Sequence, residues 1–574
     1  MAPLTALPAN WSGPLLLLTW LAPLLGAALL ALPAGRRWGL ALAPLWGLPA
    51  LTAALFLADG AVLRLPWMLT GTRLAMDPTG RVFLLLAAIL WTAAAGFTRG
   101  YLGGKRGGHR FLGFYLVAMA GNLGLTVAQS PAGFLTFFAL MGLSAYGLVI
   151  HAVTPFARRA ANVYLGATAA GEVLVLAGLL LASSPGAGNG WAAPLLIAGL
   201  GLKAGMVPLH FWLPLAHPAA PAPASAVLSG SMINAGLLGW IRFLPLGGAP
   251  FPGLGDSMVA LGLAGAFLAV VVGLAQRDPK TVLAYSSISQ MGWMAVATGA
   301  GLAAPGAWPA LLPAVLAYAL HHGLAKGALF LSTAIPGLLR GRGPGKALLG
   351  AAAILPALAI AGLPGTSGGA AKTGLKEALT HGHGLDGAGF PLLLALGAVA
   401  TTLLMVRFLV LLREAEGGAD PGPPAMGWWL AVVGCSALLP WLWPPLVSWN
   451  LKGLSEADLS AGLWPVAAGG MLGLAWIPIA RRLKPLRIPP LPAGDLYVGA
   501  EWAVLRLIRH FRSIRPVLAR IWQPGNRLWE FVHAVLWTPV HVRLTAADRW
   551  GWATSGAVFL GILVALAWAL FTSV

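Results

Sequence analysis

An all-α, polytopic membrane protein of about 14–16 transmembrane helices is the fold class this sequence predicts, and three observations predict it. Hydrophobic residues make up 58% of the 574 residues and charged residues only 9%, where soluble domains carry roughly 25% charged. The mean hydropathy is +0.81. Apolar runs long enough to cross a bilayer, which takes about 20 residues, follow one another with short loops between them, leaving little length for a soluble catalytic domain.

The runs fall at 15–43, 44–66, 79–98, 111–129, 131–154, 160–183 and 191–209, then at 222–245, 257–276, 281–301, 307–336, 347–363, 367–381, 389–413, 426–447 and 461–480, with a last one at 552–572. No basic stretch precedes the first run, so Asn10 to Pro33 reads as a retained helix and not as a cleaved signal. Asp77, just before the third run, suits an aqueous helix start. TRGYLGGKRGGHR, after that run, is a short basic loop that favours the cytoplasm.

Two places break the pattern in a related way. From Gly199 to Gly239 an apolar segment carries Lys203, meets Pro208, Pro214, Pro218, Pro221 and Pro223, and turns apolar again after Ser225. From Gly362 to Leu379, GLPGTSGGAAKTGLKEAL, Pro364 and a glycine cluster precede a segment carrying Lys372. Irregular backbone inside a membrane is tolerated only where protein or a wet cavity surrounds it. Two such breaks, spaced by several spans and each with a lysine close by, predict internal repeats with one discontinuous helix apiece. The resulting division is 1–110 (N-terminal helices), 111–245 (first repeat), 257–413 (second repeat), 426–480 (further helices), 481–551 and 552–574 (a final helix). The 481–551 segment is basic and amphipathic. Between Arg481 and Arg549 lie twelve Lys/Arg against four Asp/Glu, with Arg506, Arg509 and Arg512 on one face and Trp502, Leu505 and Ile508 on another. Such a helix lies along an interface, on lipid or on a neighbouring protein, and does not cross it. Pro516, Pro524 and Pro539 interrupt or kink it.

The net charge of +20 does not indicate a nucleic-acid partner, because the basic residues sit in short loops and one late segment, with no basic domain to hold a duplex. Attraction to anionic lipid accounts for them. The single cysteine, Cys435, excludes internal disulfides, thiolate-held iron–sulfur clusters and c-type haem attachment. No cofactor is expected in this chain, so any redox chemistry that drives it belongs to another.

The ionisable residues deep in the runs are Glu172, Lys203, Lys326 and Lys372, with Lys376 and Glu377 further along the last segment. His210 and His217 lie at the first break; His321 and His322 precede Lys326. A charge at a helix centre costs roughly 2.5–3.5 kcal/mol on insertion scales, so these positions point to function. A lysine kept from water holds its proton less tightly and can therefore load and release it near neutral pH. His322 and Lys326, four apart, share a helix face and are placed to exchange a proton directly or through one water. The competing reading is that Lys326 bonds a carbonyl or Glu172 and only holds helices together. Adjacent His321 and His322 point about 100° apart and lack an evident third ligand, so metal binding is not expected. GRGPGK at 341–346 lacks the spacing of a phosphate-binding loop.

The segments GLKAGMVPLHFWLPLAHPAAPAPASAVLSG (201–230), AQRDPKTVLAYSSISQMGWM (275–294), HHGLAKGALFLSTA (321–334) and GLPGTSGGAAK (362–372) closely resemble the antiporter-like proton-channel subunits. These are the large membrane subunits of complex I, membrane-bound hydrogenases and formate hydrogenlyase, and of Mrp sodium/proton antiporters. The resemblance covers about residues 75–415. It implies two inverted five-helix repeats and a proton pathway through Lys203, His322, Lys326 and Lys372, to which Glu172 and His210 are expected to belong. It also implies partner membrane subunits with a soluble redox module, and a bacterial inner membrane. The 481–574 portion is similar to a lateral helix with its final anchor. The family usually carries a glutamate in the fifth helix, where this chain has Ala139, and often a lysine or histidine in the eighth, where it has Asn234. Glu172 is expected to substitute for the missing acid. Three alternatives remain open: an Mrp-type sodium/proton antiporter subunit, the membrane partner of an inorganic-carbon uptake complex, and a structural subunit whose channel has decayed.

Overall fold

The computed structural model describes residues 7–482 except 69–70, 104–106, 184–188, 342, 381–388 and 416–420, together with Gly494. The basic amphipathic segment beyond Arg482 and the expected helix at 552–574 lie outside the described residues.

Proline at the first helical position starts many of the helices. There its missing N–H costs nothing and its fixed φ suits the helix. The chain opens with α1 (Ser12–Leu29), α2 (Pro33–Leu42) and α3 (Leu48–Phe56), followed by a hairpin of β1 (Val62–Leu65) and β2 (Thr72–Ala75). Then come α4 (Pro78–Leu102), α5 (Gly108–Val127), α6 (Pro131–Val149), α7 (Pro155–Ser183), α8 (Asn189–Ala204), α9 (Leu213–Ala219), α10 (Ala222–Val227) and α11 (Asn234–Phe243). The chain continues through α12 (Pro252–Leu274), α13 (Pro279–Ala303), α14 (Trp308–Ser332), α15 (Pro344–Ala361) and α16 (Ser367–Thr380). It closes, among the described residues, with α17 (Gly389–Glu414), α18 (Gly422–Leu442), α19 (Pro444–Gly453) and α20 (Glu456–Arg482). Among those residues, 13 segments are long and apolar enough to cross a membrane. This is an all-α, multi-pass membrane protein.

Four boundaries differ from the sequence expectation. The run 15–43 is divided at Leu32, whose extended backbone separates α1 from α2, with Pro33 opening the latter. The run 44–66 does not continue as a helix past Phe56, because Gly60 takes φ +85° and the chain turns into the hairpin, where Arg64 faces Arg73. Two cations facing each other belong at a polar surface, not in a span. The run 191–209 ends as helix at Ala204, where Gly205 adopts φ +74°. The run 426–447 is divided at Trp443, whose extended backbone separates α18 from α19, with Pro444 opening the latter.

Helix α14 is the most enclosed of the spans, with every residue of its apolar window buried. It crosses the π-helical turn Leu228–Met232, between α10 and α11, at Gly230 and Gly323. A Cβ on Gly230 would stand 2.6 Å from the Gly323 carbonyl oxygen, and a Cβ on Gly323 would in turn strike the Gly230 carbonyl. Small residues let membrane helices approach backbone to backbone in this way.

Candidate functional site

The first break lies between α8 and α9. Its freed backbone groups are satisfied within the protein, as membrane burial requires. Met206 N donates to Gly201 O at 2.8 Å, Leu209 N to Met206 O at 2.6 Å, and the Trp212 indole N–H to Leu202 O at 2.8 Å. Lys203, on the last turn of α8, is 3% exposed. Its Nζ donates to Tyr164 Oη at 3.0 Å, and that hydroxyl donates to Gly142 O at 2.9 Å. The rings of Tyr164, Phe138 and Trp212 surround the amine at 5.2, 5.8 and 5.9 Å to their centroids. Aromatic faces attract a cation at these distances, more strongly when water is excluded.

Glu172 of α7 turns toward the same place. A Cβ on Gly142 would lie 2.7 Å from Glu172 Oε1 and 3.6 Å from Lys203 Nζ, so both groups gather around the empty side of one glycine. Gly142 is one turn along α6 from Ala139. Glu172 Oε1 is buried without a hydrogen-bond partner.

His210, in the break, is buried, with its ring 6.5 Å from that of Tyr285. His217 of α9 is fully buried, stacked on Phe330 of α14 at 4.5 Å, with neither ring nitrogen hydrogen-bonded. Phe330 is one turn beyond Lys326. Near this junction Lys280 Nζ donates to Ala220 O at 2.7 Å, and Ser225 Oγ donates to His217 O at 2.9 Å.

Lys326 is fully buried, and its Nζ donates to Leu283 O on α13 at 3.0 Å. His322 lies one turn away on α14, but its ring nitrogens make no hydrogen bond. The pair therefore shares a face without a direct bond between its members, and the amine is held by a carbonyl, as the competing reading supposed. His321 pairs its Nδ1 with Ser367 Oγ at 2.9 Å, tying α14 to the start of α16. Lys372, on α16, is only partly buried; its Nζ donates to Ile360 O at 3.1 Å and Ala361 O at 2.8 Å. These carbonyls end α15, where a helix leaves acceptors unpaired and carries partial negative charge. The turn that brings them there is Gly362, at φ +93°, and a Cβ on it would stand 2.6 Å from Lys372 Cδ.

Neutral polar groups are also buried on α5 and on the π-helical turn and α11. Asn234 donates to Gly230 O at 2.9 Å and leaves its buried Oδ1 unpartnered, while Asn122 Oδ1 accepts from Trp91 Nε1 at 2.6 Å and from Ser231 Oγ at 2.5 Å. The structure thus brings Glu172 to Lys203 and His321 to the second break, and it leaves Lys203, Lys326 and Lys372 as separate amines. Sequence reasoning missed Tyr164 and the ring cage. The signal was the scarcity of tyrosine, seven in 574 residues, with one two turns before Glu172.

A multi-pass helical protein with a helix broken beside a buried lysine, and further amines and imidazoles enclosed between its helices, is built like an ion-handling membrane subunit. Comparison with known proteins gives the family. Residues 128–338 match the family model described as NADH:quinone oxidoreductase/Mrp antiporter, TM. Hydrogenase-4 component B of Escherichia coli (strain K12) is 32% identical over 295 residues, 46% of this chain and 43% of that protein. NADH-quinone oxidoreductase subunit 14 of Thermus thermophilus is 34% identical over 418 residues, 68% of this chain and 87% of that one. The solved structure of the Mrp complex from Dietzia sp. DQ12-45-1b has a chain of the same fold, with a TM-score of 0.68 at 23% identity over 95% of this chain and 62% of that one. The chain belongs to the antiporter-like membrane-subunit family that complex I, hydrogenases and Mrp antiporters share. It covers less than half the length of hydrogenase-4 component B.

Proposed function

We propose that this chain is the proton-translocating subunit of a multisubunit, respiratory-type complex in a bacterial cytoplasmic membrane. Its path runs along Glu172, Lys203, His210, His322, Lys326 and Lys372, and partner membrane subunits with a soluble redox module supply the drive. The observation that carries this reading is the treatment of the three lysines. Among the described residues, none of them forms an ion pair, and each amine is bonded only to neutral oxygens, of Tyr164, of Leu283, and of Ile360 and Ala361. A lysine locked to a carboxylate keeps its proton; one held by neutral acceptors is free to pass it on when a neighbour's charge changes. Buried imidazoles without partners at His322 and His217 are proton carriers of the right type to stand between them. Glu172, gathered at Gly142 with Lys203, serves as the acid that tunes the first lysine in place of the alanine at 139.

The test uses membrane vesicles carrying the assembled complex. Lys326→Ala is expected to abolish proton translocation while the redox half-reaction of the partners stays measurable. Full translocation by that variant overturns the reading. Proton exchange that depends on sodium and needs no redox donor assigns the chain to an Mrp-type antiporter instead.

A further inference from the structure

The membrane face at which α1, α4 and α6 end and α2, α5 and α7 begin carries arginines without acids. Residues 1–58 and 78–171 contain no aspartate or glutamate. At the opposite face the arginines are matched: Arg81 pairs with Asp59 at 2.7 Å, and Arg242 with Asp77 at 3.0 Å.

The unmatched charge gathers where α2 meets α5. Arg36 and Arg37 stand near the start of α2, His109 and Arg110 in the first turn of α5, and all four are exposed. The two helices touch there. A Cβ on Gly39 would lie 3.2 Å from Leu112 Cδ2, and one on Gly108 would lie 3.8 Å from Leu40 Cδ1. Neighbouring helix ends hold the guanidinium groups in place: Arg36 Nε donates to Leu30 O at 2.9 Å, and Arg110 donates to His151 O at 3.2 Å. A guanidinium has five N–H donors, so the bond to Leu30 uses one of those that Arg36 offers. The Arg37 guanidinium lies 5.6 Å from the centroid of the Trp38 ring, which is 54% exposed. Arginine beside tryptophan at the end of a span is the composition of the headgroup layer.

Away from this turn the surface becomes apolar in two rows. Leu25 and Leu29 on α1 form one; Leu42, Leu45 and Leu48, from the end of α2 to the start of α3, form the other, and all five are exposed. Both rows start at the turn that joins α1 to α2. Cations above and leucines below complement a phospholipid, whose anionic headgroup and acyl chains need both. An acidic soluble protein would leave the leucines uncovered.

We propose that the α1–α2 turn and the start of α5 form a seat for an anionic phospholipid, with its phosphate among Arg36, Arg37 and the first turn of α5 and its chains along the two leucine rows. The bound lipid ties α1 and α2 to α5. None of these residues belongs to the proposed proton path, so the outcome is independent of whether Lys326→Ala pumps.

The test titrates the assembled complex, in neutral detergent, with phosphatidylglycerol, phosphatidylcholine or inorganic phosphate, and counts bound lipid by mass spectrometry. Phosphatidylglycerol should bind more tightly than phosphatidylcholine and should be weakened by added salt. Arg36→Gln combined with Arg37→Gln should weaken one bound phosphatidylglycerol by about 25-fold, about fivefold for each arginine. Arg37→Gln alone serves if the double variant does not assemble, and Arg37→Lys, which keeps the charge, should bind close to the parental level. Unchanged phosphatidylglycerol binding in the glutamine variants, equal binding of phosphatidylcholine, or displacement of the lipid by inorganic phosphate at equal concentration overturns the seat. Loss of a partner subunit from the double variant, with lipid binding unchanged, overturns it as well and gives the surface to a protein neighbour.

Discussion

Lys203 is surrounded by side chains, whereas Lys326 and Lys372 are held by main-chain carbonyls. At the first site a phenol accepts from the amine, three rings face it and a carboxylate shares its surroundings at Gly142. At the second and third the acceptors are Leu283 O, which also takes the Ser287 hydroxyl at 3.0 Å, and the two carbonyls exposed by the end of α15. Side chains can rotate, titrate and be exchanged one at a time. Carbonyls are fixed by the helix that bears them, so the environment of Lys326 and Lys372 changes only when water or a neighbouring charge does. The first site is therefore the one whose surroundings a change of side chain can adjust.

The sharpest way to break this contrast is at the carboxylate. Glu172→Gln keeps the shape but removes the charge, and translocation should fall by about a hundredfold, the lower range for losing a positioned proton-transfer group; a variant translocating at the parental rate would show that Lys203 needs no acid. Next comes Tyr164→Phe. It deprives the Lys203 amine of its one neutral acceptor and removes the hydroxyl that donates to Gly142 O, so thermal unfolding in detergent should report a loss of about 1–3 kcal/mol. An unchanged melting temperature would mean that the rings alone hold the amine. The smallest effect is expected at Lys452→Ala. Its pair with Glu377 is solvent-exposed on both sides and worth about 0–1 kcal/mol, so stability and transport should both stay at parental levels. A marked transport defect there would place the Glu377 carboxylate inside the working path.

Much of this arrangement was legible in the sequence because charges in apolar runs are costly. That cost singled out Lys203, Lys326 and Lys372, and the prolines and glycines beside two of them located both breaks. The convergence of Glu172 with Lys203 was legible only as an expectation, since the two lie 31 positions apart on consecutive helices. The cage of Phe138, Tyr164 and Trp212 was not legible, because aromatic residues in apolar runs read as core. Helix α19 was hidden for a similar reason: Pro444 and Pro445 sit in a run apolar enough to pass for a single span. His217 was named at the first break but not placed on the pathway. His210 and His217 are both in the first break, and only three-dimensional packing sets one against Tyr285 and the other against Phe330.

The crossing at Gly230 and Gly323 has a mechanical consequence. No side chain separates the two backbones, and Leu86 and Leu90 of α4 pack against the same two glycines, so the crossing leaves little room for either element to slide. Lys326 sits one turn from that contact. A tilt of α14 would pivot at this crossing and move the helix ends further than the lysine beside it.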